Sequence, residues 1–146
     1  MFTASYPADI LPEVNGKGYL VKFPGLPEAL TGGGDLAGAR AEAADCLAEA
    51  LAGRISRRDP IPQPGRPKRG QHLIAVPLYL APKLALYLAI RERNLPNTAL
   101  AKYLGVSETV IRRMLDPRHV TKPEKIEVAL LALGKRIVVS FDDAAA

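Results

Sequence analysis

The sequence predicts an α+β protein made of two modules, and three observations lead to this prediction. Residues 1–76 contain short stretches of alternating apolar and polar residues around one long amphipathic helix, which is typical of a β-β-β-α-β unit. Residues 77–146 carry helical periodicity with a short glycine turn, and indicate an all-helical helix-turn-helix module that ends in a β-strand. Charge follows a similar division, because residues 1–59 carry a net charge of −2 and residues 60–146 carry +7.

The first module begins with three predicted strands. Phe2–Ile10 reads as a strand in which Pro7 has to sit at an edge or a bulge, because proline has no N–H to donate. Tyr19–Phe23 alternates apolar and polar side chains, and the intervening Asn15-Gly16 has the chemistry of a hairpin turn. A short third strand is expected around Glu28–Thr31.

A helix from about Leu36 to Ile55 follows, with Asp35 as its N-cap. Apolar residues at helical spacing predict a buried stripe, and three acidic residues predict a solvated one: Glu42, Asp45 and Glu49. His72–Val76 reads as the last strand of the module.

The segment Asp59–Gly70 contains four prolines and two glycines, and it cannot continue a helix or the interior of a sheet. Two interpretations are open, a surface loop within one domain or a flexible connection between two modules. The change of charge near this segment favours the flexible connection.

The most informative segment of the second module is Asn97–Met114, which reads as a helix-turn-helix. Ala101 allows two helices to cross closely, Gly105 can adopt the positive φ of a tight turn, and Ser107 caps the second helix. That helix has an apolar inner face formed by Val110, Ile111 and Met114. Arg112 and Arg113 remain on its outer face.

A helix with an apolar inner face and a basic outer face has the form that enters a DNA major groove, although an ordinary helical hairpin uses similar residues. We expect the residues facing the bases to be Ser107, Glu108, Thr109, Arg112 and Arg113. We expect phosphate contacts from Asn97, Thr98 and Lys102, and we expect Arg118 to be a further DNA-binding residue. His119 fits either a phosphate contact or a solvated loop.

Three further elements complete the second module. Tyr79–Arg93 is an amphipathic helix with Pro82 in its first turn. Thr121–Glu124 has the pattern of a capping box for a helix that ends at Gly134. Arg136–Phe141 reads as a strand without a partner in a helical module, so it is the candidate element for a homodimer or a higher oligomer.

Other chemistries find little support in the sequence. The single cysteine, Cys46, and two distant histidines do not have the spacing of a zinc site. One cysteine also excludes an internal disulfide, which indicates a reducing compartment, and Cys46 reads as a core residue. The acidic residues do not converge as a metal-dependent nuclease requires, and Gly32–Gly34 reads as a glycine turn because no Lys-Ser/Thr follows it. We therefore expect no catalysis and no cofactor. Without a signal peptide or an apolar run of membrane length, the expected location is the cytoplasm.

Several motifs of the first module, taken together, resemble the HicB family of antitoxins. They are Tyr6, the segment GYLVKFPGLP at 18–27, TGGGD at 31–35 and AEAL at 48–51. The second module resembles the helix-turn-helix of one branch of that family. The chain departs from the family pattern at Glu28-Ala29-Leu30, where a small residue plus Gly or Cys often occurs, and this leaves toxin specificity open.

The resemblance implies a non-catalytic, partly complete ribonuclease-H-like fold for the first module. It implies that this module binds a small basic toxin similar to HicA, which cuts mRNA, and that the second module binds operator DNA and represses the operon. Net charge agrees, since an acidic module suits a basic protein and a basic module suits DNA. The alternative is a stand-alone repressor whose first module senses a small ligand. An RNA-binding module is disfavoured because few aromatic residues are available for base stacking.

Overall fold

A computed structural model describes residues 1–143, so the last three residues of the second predicted module lie outside it. The α+β class is confirmed. The elements in chain order are β1 (Ser5–Pro12), β2 (Tyr19–Phe23), β3 (Leu26–Gly33), α1 (Leu36–Arg57), β4 (His72–Ala75), α2 (Ala81–Glu92), α3 (Asn97–Leu104), α4 (Glu108–Leu115) and α5 (Pro123–Ala132). Within the described residues, no helix combines the length and the apolar character needed to cross a membrane.

The four strands form one antiparallel sheet in the order β3-β2-β1-β4. One face of the sheet is buried under α1, and it presents Tyr6, Ile10 and Val21 to the core. Residues 5–8 of β1 pair with β4, whereas residues 9–12 pair with β2. Pro7 therefore lies in a part of β1 that has a neighbour on one side only, which agrees with the prediction of an edge position.

The glycine run between β3 and α1 brings a strand close to a helix. A Cβ on Gly33 would lie 2.4 Å from the backbone nitrogen of Ala39 in α1. Asp35 then caps α1, because its Oδ1 accepts a hydrogen bond of 2.6 Å from the backbone N–H of Gly38. The segment is thus a glycine turn, as predicted, and β3 is longer than expected because its pairing with β2 extends to Gly33.

The proline-rich segment lies within the first module and does not connect two modules. β4 follows it and pairs with β1 of the same sheet, so the interpretation as a flexible connection is wrong. The segment is also anchored, because Ile61 is buried and the Tyr6 hydroxyl donates a hydrogen bond of 2.9 Å to the carbonyl of Pro62. Composition could not separate the two interpretations, since both require proline and glycine.

Two hydrophobic cores share α2. Leu84 and Tyr87 belong to the core between the sheet and α1, whereas Leu86 and Ile90 belong to the core formed with α3, α4 and α5. Cys46 is half-buried against the first core, and burial raises the pKa of its thiol. Both halves of the chain are therefore connected through a helix that packs in each of them.

Two predictions for the end of the chain are wrong. The capping box fails because α5 begins at Pro123 without a side-chain cap, and the hydroxyl of Thr121 has other partners. Arg136–Phe141 is not a strand in the described chain, although Ile137 packs against the second core. A strand needs a neighbouring strand to satisfy its backbone groups, and residues 1–143 of one copy offer none to this segment. Gly134, with φ of +73°, ends α5 as predicted.

Candidate nucleic-acid interface

α3 and α4 are joined by a tight turn that glycine makes possible. Gly105 has φ of +69°, in the left-handed region that favours glycine. The N–H of Val106 donates a hydrogen bond of 2.9 Å to the carbonyl of Ala101, which closes the end of α3. Ala101 is itself buried, so the predicted close crossing is present.

Capping and burial fix the orientation of α4. The Ser107 hydroxyl accepts a hydrogen bond of 3.4 Å from the N–H of Val110 at the start of the helix. Ile111 and Met114 are buried in the second core, and Val110 is half-buried against it. Since these residues hold one side of α4, the opposite side is left to solvent.

The solvent side of α4 carries the residues expected to face DNA bases. Thr109, Arg112 and Arg113 are exposed, and Glu108 is half-buried. Arg112 is held by its own helix, because its Nε lies 3.5 Å from a Glu108 carboxylate oxygen and its guanidinium donates to the Thr109 hydroxyl at 3.2 Å. Arg113 has no side-chain partner among the described residues, so its guanidinium is the more available of the two for a base edge.

The residues expected to contact phosphate occupy both ends of α4. Asn97 and Thr98 lie in the first turn of α3, which has no side-chain cap, and Lys102 is exposed on the same helix. Arg118 and His119 lie beyond the C-terminal end of α4. The backbone N–H of Arg118 donates a hydrogen bond of 2.9 Å to an Asp116 carboxylate oxygen, and His119 Nδ1 lies 3.1 Å from the Thr121 hydroxyl. The nine predicted residues therefore lie on α3, at the cap and on the outer side of α4, and in the connection that follows α4.

A cleft of about 720 Å³ runs along one flank of α4. It brings together four of the predicted residues: Asn97, Thr98, Glu108 and Arg112. Its opposite wall comes from the end of α1 and from α2, including Ser56, Arg58 and Arg91. The first module thus reaches the neighbourhood of the predicted DNA contacts, which the sequence did not indicate.

Lys83 on α2 is a further residue of this region that the sequence analysis missed. Its side chain is 2% exposed, and its ammonium donates to the carbonyls of Arg113 (3.0 Å) and Met114 (3.1 Å) and to the Thr121 hydroxyl (2.9 Å). A cation at the C-terminal end of a helix is favourable, although burial lowers the pKa of this lysine. The available signal was a lysine on the apolar stripe of α2, between Leu80 and Leu84.

Comparison with known proteins places this architecture in a family. The family profile described as "HicB_like antitoxin of bacterial toxin-antitoxin system" matches residues 5–85. The chain belongs to this family of HicB-like antitoxins. "Antitoxin HicB" of Escherichia coli is 34% identical over 132 residues, which cover 90% of this chain and 95% of that protein. In Photorhabdus laumondii, "Antitoxin HicB 1" is 34% identical over 94% of this chain and 86% of its own length. "Antitoxin HicB 2" of the same organism is 37% identical over 82% of this chain and 85% of its own length.

Most of the motifs that carry the resemblance to HicB-like antitoxins lie in the sheet, whereas AEAL at 48–51 lies on α1. The FPGLP segment forms the turn between β2 and β3, and Gly25 has φ of +84° there. Where this chain departs from the family pattern, Glu28 forms a bidentate pair with Arg54 of α1, with distances of 2.6 and 2.9 Å. This pairing lowers the pKa of Glu28 from its ordinary value of 4.5 to about 2.

The second face of the sheet is open to solvent in this HicB-like antitoxin. Leu11, Leu30 and Leu73 are each about half exposed, at 50%, 56% and 51%. The register places them on one face, around the cross-strand pair of Asp9 and Lys22. An apolar patch of this kind is typical of a protein-binding surface. Among the described residues, no three carboxylate, histidine or cysteine side chains come together to hold a metal ion.

Proposed function

We propose that this antitoxin neutralises a small basic toxin similar to HicA, which cuts mRNA, and represses its own operon by binding promoter DNA. The observation that carries the proposal is a capped α4 with exposed Arg112 and Arg113, in one chain with the matched antitoxin module. The relative from Escherichia coli, which carries the name antitoxin, aligns over a length that includes both modules. A regulatory role without catalysis follows from this proposal.

In the proposed DNA complex, α4 enters the major groove with its Ser107 end leading. Arg113 or Arg112 forms a bidentate contact with guanine O6 and N7, and Asn97, Thr98, Lys102 and Arg118 contact phosphates. Replacing the base-reading arginine with alanine should cost about 1–3 kcal/mol of binding and relax specificity at one base pair. Equal weakening on all sequences would instead identify that arginine as a phosphate contact.

The open face of the sheet is the surface proposed for the toxin. It carries the exposed leucines at 11, 30 and 73, it borders the FPGLP turn, and it belongs to the half of the chain with a net charge of −2. Charge complementarity would speed the encounter with a basic protein, and the leucines would supply the buried contact.

A homodimer completes the proposal, because helix-turn-helix proteins usually place two recognition helices about 34 Å apart on DNA. Arg136–Phe141 would pair with the same segment of a second copy. In one chain, Val138, Val139 and Phe141 of this segment are largely exposed. Pairing between copies would satisfy its backbone groups and place Val139 and Phe141 on one face of the strand pair.

The first test is RNA cleavage by a small basic, HicA-like protein that copurifies with the tagged chain. We expect the wild-type antitoxin to stop cleavage at a stoichiometric ratio, and Leu30→Asp to lose this inhibition. Leu131→Asp is the matched control, since Leu30 and Leu131 are both 56% exposed and Leu131 lies on α5. Unchanged cleavage in the presence of wild-type antitoxin would refute toxin neutralisation, and full inhibition by Leu30→Asp would refute only the sheet face as the docking surface.

The alternative is a stand-alone repressor that responds to a small ligand, and one observation favours it. The cleft beside α4, at about 720 Å³, falls within the size range of small-molecule sites. The two functions differ in what releases promoter DNA. Release by a metabolite, without a protein partner, would support the alternative.

A further inference from the structure

We propose that the first module also binds the phosphate backbone of the operator, through the guanidinium group of Arg58 on the wall of the cleft opposite α4. This inference rests on the proposed DNA binding by α3 and α4. It assigns the module that belongs to the antitoxin family a direct part in operator affinity, in addition to its toxin-binding role.

Three arginines from three different elements line the cleft. Arg58 follows α1, Arg91 lies near the end of α2, and Arg112 lies on α4. Arg58 and Arg91 are in contact, because Arg91 donates a hydrogen bond of 3.0 Å to the carbonyl of Arg58. The guanidinium carbon of Arg91 also lies 5.5 Å from the centre of the Tyr87 ring. The end of α1 is therefore held against the helix-turn-helix half of the chain.

Ion pairing sets Arg58 apart from the other arginines at the end of α1. Arg54 pairs with Glu28 at 2.6 Å, and Arg57 pairs with Asp59 at 2.8 Å. Arg58 has no carboxylate within ion-pair distance among the described residues, and it is the one of the three that lines the cleft. Its side chain is exposed, so its charge is available to an anion from outside.

Two acidic residues, Glu108 and Asp116, also line the cleft. Glu108 is paired with Arg112, and an Asp116 carboxylate oxygen accepts from the Arg118 N–H. Their charges are thus partly engaged within the helix-turn-helix. Arg58 and Arg91 remain as the cations without a carboxylate partner among the residues described, which favours an anionic occupant for the cleft.

A DNA backbone is the anion that the position of the cleft favours. The other wall carries Asn97, Thr98 and Arg112, which are the proposed contacts at the edge of the major groove. In the proposed complex, a duplex strand that contacts these residues would also pass the mouth of the cleft, where Arg58 lies on the other wall. Guanidinium groups bind phosphate oxygens in a bidentate manner, and each phosphate contact adds to the salt dependence of affinity.

The backbone at Arg58 allows a clean test. Arg58 has φ of +60°, a conformation in which glycine is free of the steric penalty that other residues incur. Arg58→Gly therefore removes the guanidinium without strain, and the carbonyl that accepts from Arg91 stays in place. Arg58→Lys keeps the positive charge. Arg66→Gly is the matched control, because Arg66 is exposed in the proline-rich segment and does not line the cleft.

The experiment measures affinity against salt concentration for two duplexes. One is selected by the wild-type chain from a random-sequence pool, and the other is its scrambled counterpart. We expect Arg58→Gly to weaken binding to both by the same factor, and to lower the slope of log affinity against log salt by about 0.9 per chain. Arg58→Lys should restore most of this slope, and Arg66→Gly should match the wild type.

Arg113→Ala separates failure of this inference from failure of the proposed function. If Arg58→Gly behaves like Arg66→Gly while Arg113→Ala loses affinity for the selected duplex, the inference is wrong and DNA binding by α4 stands. If Arg58→Lys loses as much slope as Arg58→Gly, charge at this position is not the cause and the inference is also wrong. If the wild-type chain selects no duplex, the proposed DNA binding itself fails.

Discussion

The ammonium of Lys83 lies 2.9 Å from the hydroxyl of Thr121, and this contact ties α2 to the connection that follows α4. The same ammonium reaches the last carbonyls of α4, so one buried cation satisfies the C-terminal end of the helix proposed to read DNA. Because α2 also packs in the core of the first module, Lys83 links the end of α4 to a helix that both cores share.

Replacement of Lys83 by methionine should destabilise the fold. Methionine fills a similar volume, but the Met114 carbonyl loses its donor in a buried position, which costs about 1–3 kcal/mol of the free energy of unfolding. Urea denaturation at pH 7 measures this cost. Lys125→Met on the exposed side of α5 is the control and should leave the midpoint unchanged. Equal midpoints for the two variants would show that Lys83 does not stabilise the end of α4.

The glycine run before α1 provides a second, sharply matched comparison. A methyl group on Gly33 would lie 2.4 Å from the Ala39 nitrogen, whereas a methyl group on Gly34 meets nothing within 4 Å. We expect Gly33→Ala to cost about 1–3 kcal/mol, because β3 and α1 must separate. Gly34→Ala should change stability by a few tenths of a kcal/mol at most. Thermal unfolding of both variants checks this, and similar losses would mean that close approach is not why glycine occupies position 33.

The pair of Glu28 and Arg54 predicts a dependence of stability on pH. The pKa of Glu28 in the folded state is about 2, below its ordinary value of 4.5. The pair therefore stabilises the fold above pH 4.5, and this stabilisation is lost as the pH falls towards 2. Since Glu28 is partly exposed, Glu28→Gln should cost no more than about 1 kcal/mol at pH 7. The difference in unfolding free energy between the wild type and Glu28→Gln should shrink between pH 4.5 and pH 2.

Urea midpoints at several pH values measure this difference. Glu127→Gln on α5 is the control, because Glu127 is exposed and has no ion-pair partner among the described residues. A gap between wild type and Glu28→Gln that stays constant down to pH 2 would contradict the assignment of the effect to this carboxylate.

Local sequence signals were enough for α3 and α4. Gly105, Ser107 and the apolar spacing of Ile111 and Met114 act within a few residues, and the structure has the predicted turn, cap and buried face. The same holds for Asp35 at the start of α1. Such features are predictable because their partners lie within one helical turn.

Features that depend on distant partners could not be predicted in this way. Lys83 lies 38 residues from the Thr121 hydroxyl to which it donates. The expected capping box is absent because α5 begins at Pro123 with Lys122 as its N-cap, one residue later than the box requires. The proline-rich segment proved to be a loop because of pairing between β1 and β4, which composition does not encode. Arg58 enters the cleft only because α2 joins the two cores.

The proposed dimer through residues 136–141 leads to a prediction that depends on a second copy of this chain. In the proposed dimer, Val139 and Phe141 lie on the same face of the strand, because alternate residues share a face. Val139→Asp would introduce a charge there and remove a buried valine side chain worth about 1.5–3 kcal/mol. A homodimer carries the substitution in both copies, so we expect its dissociation constant to rise by about a hundredfold or more.

Sedimentation equilibrium over a range of protein concentrations measures this dissociation constant. Val120→Asp is the control, since Val120 is 94% exposed and Val139 is 86% exposed, and Val120 lies in the connection before α5. Dimers of Val139→Asp as stable as those of the wild type would move the interface away from residues 136–141. A wild-type chain that stays monomeric at micromolar concentration would instead require DNA or toxin to bring two copies together, because one helix-turn-helix reads only one half-site.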